Sequence, residues 1–597
     1  MATQPEMEVL LRERSATTGS LSEALRYAHK YLQSEECQKT AIDVFPPTQL
    51  AQSIFRLCRC RGMIQEVQPE LHLFRASPQN FFSCGSSQEA ANLDDVQYIE
   101  AALLYVIPVP GNLHFYDVDE LSRSSDTAQC GTLRKRSDRG EAASSAHPLS
   151  NSDDDPIRKH TRHKADMSDP TCAVTQSSST RSLGPSLNLP HPSCSRHLQS
   201  ACVVTVLLPT DDGPRDSRFR INDVVDLYGY QHFPDDQLPA NETDDFERFS
   251  AWNATELSKG LVSRLLCLSY TPVSSLHLRL NLTRPALISS SMTEARSDAI
   301  AYLTGTLTNG DALVAEYLLL HLCARVSMHS ASTPVGDLPL LISSPHVVAA
   351  EWSAQLREIV PVAEILLTDD VLRSHANGRL IPKYNNELNY LETGVLQVAN
   401  GTHITIDCGS LGSRDETWYE GMFALVHKQQ LLLEYAYQTL ELPVDVSILA
   451  LNSADTPDAV HPLFRFATSL PWRADANLAK EVSTTHNISS GVVRAYLDAV
   501  RCLDVSLQGV DALSERASRA LVEMAENLPG WNNRDPLLHN NSFSAAMALM
   551  RAHAASHGRA SFTTDDILAV YQLERARMER IGVPLATQLS TSSPDAE

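Results

Sequence analysis

No stretch of the 597 residues approaches the roughly 18 uninterrupted apolar positions that a spanning helix needs, and mean hydropathy is -0.20. The opening MATQPEMEVLLRERS has no apolar signal core and carries acids, so the expectation is a soluble intracellular chain. Cysteine is sparse, at 12, and scattered. Only Cys58 and Cys60 lie close together, and a lone C-x-C lacks the second pair that a zinc site wants, which favours reduced thiols and no metal. Cations are short as well: 49 Lys and Arg against 72 Asp and Glu leave a net charge of -23. That balance repels a phosphate backbone, so nucleic acid is not the default partner. The Asn-x-Ser/Thr triplets at Asn241, Asn253 and Asn400 carry no weight without a secretory route.

What is present suffices for packed cores. Hydrophobic residues make up 43% and charged residues 20%, and the length suggests roughly four domain-sized units. Residues 1–40 form a helical segment, with Leu21, Leu25, Ala28 and Leu32 spaced for one apolar face. In 41–120, FRLCRCRGMIQEV (55–67) alternates. Cys58, Cys60, Gly62 and Ile64 share one face; Arg59, Arg61 and Met63 share the other. Residues 121–200 collapse into Ser, Asp, Arg, His and Pro, a composition that cannot offset its ordering entropy, and read as a disordered insert. Its basic clusters around Arg134, Lys135, Arg136, Arg158 and Lys159 read as a nuclear import signal. Strands return in 201–231, completing one split barrel with 41–120, and 232–290 reads as linker.

From 291 to 475 helix and strand alternate, which argues for a sheet with helices packed on it. Asp311 is placed to cap a buried helix, Asn400-Gly401 signals a hairpin within 394–407, and 419–437 reads as one helix. Residues 476–583 are helical. Thr563 and Asp566 resemble a capping box, with Phe562 and Ile567 as its hydrophobic staple. Residues 584–597 are a tail. The fold class expected is multidomain α+β and α/β.

The run GVLQVANGTHITIDCGS resembles the ATPase core of AAA+ proteins, and more narrowly MCM helicase subunits. The resemblance places Asp407 at the metal-associated aspartate, Asn452 at the sensor position of VSILALNS, and Arg465 of LFRF where an arginine finger would sit. Hydrolysis needs G-x-x-x-x-G-K-[ST], yet the corresponding junction LLISSPHVVAAEW has no glycine and no lysine. Cys408 stands where a glutamate should position the attacking water. There is no H-E-x-x-H and no G-x-S-x-G, and His321 reads as a satisfied core histidine. These patterns point to no enzyme, no catalytic residue and no cofactor, with Asp407, Cys408, Asn452 and Arg465 as relics of a degenerate nucleotide site.

The ordered set GMIQEV, VIPVPGN, FRINDVVDLYGYQ, LTNGDALVAEYLLLHL and GVLQVANGTHITID, spanning roughly 55–580, resembles the MCM-binding protein family. The resemblance implies an oligonucleotide/oligosaccharide-binding (OB) barrel, a degenerate MCM-like core and a helical lid. It further implies a nuclear, non-catalytic partner of MCM helicase subunits in DNA replication, associated with chromatin only indirectly. The competing reading is an OB-fold module for single-stranded nucleic acid using Arg56, Arg59, Arg61 and Arg75, for which stacking aromatics are thin.

Overall fold

The computed structural model describes residues 20–34, 44–45, 57–68, 72–76, 97–111, 202–208, 219–231, 263–273, 291–330, 333–374, 379–386, 390–411, 416–453, 461–474, 488–505, 515–527, 536–561 and 563–582, with a few single positions between 9 and 17. The insert and tail, with Arg134, Lys135, Arg136, Arg158 and Lys159, lie outside them, as does Phe562. The described residues are mixed α+β, and none of their helices is long and apolar enough to cross a membrane.

The N-terminal part is a β-structure of β1 (Val44–Phe45), β2 (Leu57–Val67), β3 (His72–Ala76), β4 (Gln97–Ile107), β5 (Cys202–Leu207), β6 (Val224–Gln231) and β7 (Ser263–Pro272). They pair in the order β1-β2-β6-β7-β5-β4-β3, and β2 also pairs with β4, so five strands close into a barrel. All pairs inside the barrel are antiparallel except β5 with β7. The alternation read in 55–67 holds. Cys58, Cys60 and Ile64 join Leu104, Val204, Leu227 and Cys267 in a cluster drawn from all five strands, while Met63 belongs to another. Gly229 sits at a register shift where a Cβ would fall 2.0 Å from the Leu266 carbonyl oxygen, so β6 and β7 can approach only with glycine there.

Helix α1 (Leu21–Leu32) starts at Ser20 and lays Leu21, Leu25, Ala28 and Leu32 against Leu57, Ile99, Leu207, Tyr228, Tyr230, Leu266 and Leu268. Strand β7 corrects the linker reading of 232–290. Leu265 and Cys267 face the barrel cluster while Leu266 and Leu268 lie under α1. Burial on both faces erases the period-two signal that would have marked it.

The second part contains α2 (Met292–Thr306), α3 (Ala312–Cys323), the small pair β8 (Met328–Ser330) and β9 (Thr333–Val335), β10 (Leu340–Ser343), α4 (Ala349–Ile359), β11 (Glu364–Leu367) and α5 (Asp369–Ser374). It continues with β12 (Lys383–Asn385), β13 (Tyr390–Glu392), β14 (His403–Asp407), α6 (Glu416–Lys428), β15 (Gln430–Glu434), β16 (Thr439–Pro443), β17 (Ser447–Asn452) and β18 (Thr468–Pro471). Strands β11-β14-β17-β10-β18 make an all-parallel sheet, and β13-β12-β15-β16 a second sheet. Both faces of the parallel sheet are covered: Leu340, Ile342, Leu449 and Leu451 on one side, Leu341, Ile404, Ile406 and Ile448 on the other. Asp311 caps α3 as expected, its Oδ1 accepting the Val314 N–H at 3.2 Å.

Two local readings change. The 394–407 hairpin is a single strand preceded by irregular chain. Val395 and Leu396 donate to the Arg379 and Leu380 carbonyls instead of pairing with β14, and Gly401 turns the chain at φ +83°. The 419–437 helix stops at Lys428 because Gln429 adopts φ +52°, and β15 follows.

Helices α7 (Ser490–Arg501), α8 (Glu515–Asn527), α9 (Pro536–Ser556) and α10 (Thr564–Ile581) complete the fold. Tyr496, Leu497, Ile567 and Val570 pack into the cluster of α2 and α3. The Tyr317 hydroxyl donates to Glu574 at 2.6 Å, and Glu574 pairs with the buried Arg577. At the start of α10 the Asp566 carboxylate accepts the Thr563 N–H at 2.7 Å. The barrel docks on the core through Met63, Tyr105 and Val224 against Val362, Ala363 and Ala399.

Candidate nucleotide-site relic and the barrel face

Strands β14, β17 and β10 are neighbours, so their carboxyl ends bring Asp407, Asn452 and the 344–348 junction together, the usual ligand crevice of an open parallel sheet. At that junction three backbone donors are already engaged. The Ser344 N–H donates to the Asn452 carbonyl at 3.0 Å, the His346 N–H to Ser344 Oγ at 3.3 Å and the Val347 N–H to the Ser344 carbonyl at 3.1 Å. A phosphate cradle needs those donors turned outward. Asp407 uses Oδ1 to accept the Gly409 N–H at 3.1 Å. Burial, reinforced by the Asp407 charge, pushes the Cys408 thiol up to about 12, which leaves it protonated and unable to act as a base.

Arg465 is not brought into this group. It follows the short 3-10 turn Pro462–Phe464 and precedes Thr468, which pairs with Leu340, the first residue of β10. It therefore stands towards the amino edge of the sheet, away from Asp407 and Asn452.

His321 is a satisfied core residue, and it belongs to a chain that spacing did not reveal. It is 1% exposed, its Nδ1 lies 2.7 Å from the Leu338 carbonyl and its Nε2 3.0 Å from His403 Nε2. His403 Nδ1 meets Glu364, whose other oxygen accepts the Thr405 hydroxyl at 2.6 Å. Burial, with His403 next, pulls the His321 pKa down to about 3, so this imidazole is neutral. Among the described residues, no group of three or more His, Cys, Asp or Glu could hold a metal ion. The pair missing beside Cys58 and Cys60 does arrive, as Cys202 and Cys267 in the barrel cluster. Yet the Cys58 and Cys267 thiols donate to the Gly229 and Ser269 carbonyls at 3.3 and 3.0 Å and act as small apolar side chains.

On the barrel, two of the four arginines considered for nucleic acid, Arg61 and Arg59, are committed or hidden. Arg61 makes a bidentate pair with Asp226 at 2.5 and 2.7 Å, both buried. Arg59 is buried beside Tyr228, and Tyr228 and Tyr230 lie beneath α1. Arg56 lies outside the described residues.

Comparison with known proteins matches residues 51–581 to the model of the mini-chromosome maintenance replisome factor family. The chain is 26% identical over 558 residues to the mini-chromosome maintenance complex-binding protein of Arabidopsis thaliana, covering 88% of each. It is 23% identical over 585 residues to that of Gallus gallus, covering 87% of this chain and 85% of the relative. With that of Salmo salar it shares 24% over 429 residues, 65% of each chain. A family match over most of its length, with the barrel and parallel-sheet core inside it, means that this chain belongs to the mini-chromosome maintenance replisome factor family.

Proposed function

We propose that the chain is a non-catalytic binding partner of MCM helicase subunits, acting in the nucleus to regulate assembly, protection or chromatin unloading of the MCM complex. The relatives are named for binding that complex, and the observation that carries the non-catalytic part is the closed junction at 344–348 beside a protonated Cys408. On this reading the parallel-sheet core is a degenerate AAA+/MCM-like module and the C-terminal helices its lid. The barrel, whose chain-order strands pair as 1-2-3-5-4-1, is an OB-like module. Such a molecule occupies a subunit-like place through a lateral, heterologous interface without firing, so one wedge can stop ring closure. A stable interface of this kind buries on the order of 1,200 Å² or more, which preformed core and helix surfaces supply. The test is co-purification of purified MCM subunits with the full chain and with a chain lacking 121–200. Both should bind. Loss of binding on deleting the insert alone would replace the lateral model by a linear-motif tether.

A further inference from the structure

The hairpin of β15 and β16 has a fixed base and an exposed tip. At the base, the Gln429 carbonyl accepts the Val444 N–H and its Oε1 accepts the Val446 N–H, both at 2.9 Å. Lys383 of β12 pairs with Glu434, and Tyr435 stacks on Tyr384 with centroids 5.2 Å apart. Beyond that, residues 436–441 are exposed: Tyr437 is 101% exposed and Leu440 42%. An aromatic held out on an already ordered support loses little freedom when it docks, and tyrosines so placed dominate the energetics of many interfaces.

Charge narrows the partner. No Lys or Arg occurs between Lys428 and Arg465; Glu434 and Asp445 are paired with Lys383 and Arg501, which leaves the exposed Glu441 as the charge beside the tip. Such a segment is repelled by a phosphate backbone and complements an apolar pocket rimmed by Lys or Arg. Strand addition along β16 fits less well. The strand has five residues, carries Glu441 and ends in Pro443, features that blunt an edge.

We propose that the hairpin tip is a docking element, with Tyr437 and Leu440 entering an apolar, basic-rimmed pocket on the MCM subunit that the chain binds. This rests on the reading that the chain binds MCM subunits. The experiment measures binding of individual purified MCM subunits from the same organism to the full-length chain and to three variants: Tyr437→Ser with Leu440→Ser, Glu441→Lys, and Tyr437→Phe. The double variant should bind at least about tenfold more weakly with an unchanged melting curve, and Tyr437→Phe should bind nearly as wild type. Glu441→Lys, which leaves the apolar tip intact, should weaken binding and flatten its salt dependence. If all variants bind as wild type does, the docking role is wrong while MCM binding stands. If wild type binds no subunit, the functional reading itself fails. Self-association of wild type that the double variant abolishes would make a second copy the occupant and overturn the proposal.

Discussion

Glu364 and His403 are each the first residue of a strand, and the parallel pairing of β11 with β14 sets them directly opposite one another. His321 reaches the pair from α3, making a buried polar chain across the sheet. A buried neutral histidine makes stability depend on pH in a definite direction. Its folded pKa of about 3 lies below the ordinary value of 6.5, so the unfolded state binds more protons between those values and stability falls as pH falls below about 6.5. One such group contributes a slope of up to about 1.4 kcal/mol per pH unit. His321→Gln should lower stability at pH 7 yet shallow the slope between pH 6 and 4.5, measured by urea unfolding against wild type. Equal slopes would mean that His321 takes up its proton elsewhere in the range. Cys408 supports a second expectation. Restoring the acid with Cys408→Glu should give no magnesium-dependent ATP turnover, because the Ser344, His346 and Val347 N–H groups stay bonded within the chain and the junction has no lysine. Turnover in that variant would refute the closed-junction argument. That Asp407 and Asn452 share a place followed from the resemblance to MCM subunits, and the neighbouring β14 and β17 bring them together. The Glu364–His403 contact was not, because it depends on register between strands nearly forty residues apart.

At the element scale, a strand buried on both faces was readable where arginines break its apolar run, as in β2, or where helices flank it, as in β17. Helix α1 and the alternating β2 could be read directly; β7, apolar on both faces, passed for linker. Left-handed residues decided the other two differences, at Gln429 and Gly401. Gly111, at φ +74°, ends the segment leading from β4 to the core. A Cβ there would lie 2.5 Å from the Glu364 carbonyl oxygen and 2.7 Å from Ile365 Cγ1. Gly582 has a similar φ of +83° but nothing within 4 Å, so it reports the backbone cost alone. Gly111→Ala should therefore cost more than Gly582→Ala, about 1–3 kcal/mol in total, read as a larger drop in melting temperature. Equal drops would show that the barrel–core contact yields without loss.

At the scale of the whole molecule, two features decide whether the barrel meets a single nucleic-acid strand. The net charge of -23 sets an unfavourable long-range field, and a basic groove would have to overcome it locally. Two of the barrel's arginines are withdrawn from such a groove, Arg61 neutralised by Asp226 and Arg59 buried, while Arg220 ahead of β6 is exposed. Stacking needs exposed aromatic faces: Tyr98 of β4 is 63% exposed, but Tyr228 and Tyr230 are covered by α1, whose Leu21 N–H and Gln33 side chain also bond Gln97 Oε1 and the Tyr270 carbonyl at 2.8 and 3.2 Å. The full chain should therefore show no saturable binding to a fluorescent oligothymidine at about 0.15 M salt by anisotropy. Binding that weakens steeply with added salt would reveal a basic face and revive the nucleic-acid reading. Removing residues 1–34 tests the cover separately: even with the tyrosines exposed, the Arg61–Asp226 pair and the acidic field should keep binding negligible. Negligible binding by that shortened chain would assign the exclusion to charge and paired side chains, and strong binding would assign it to occlusion by the helix.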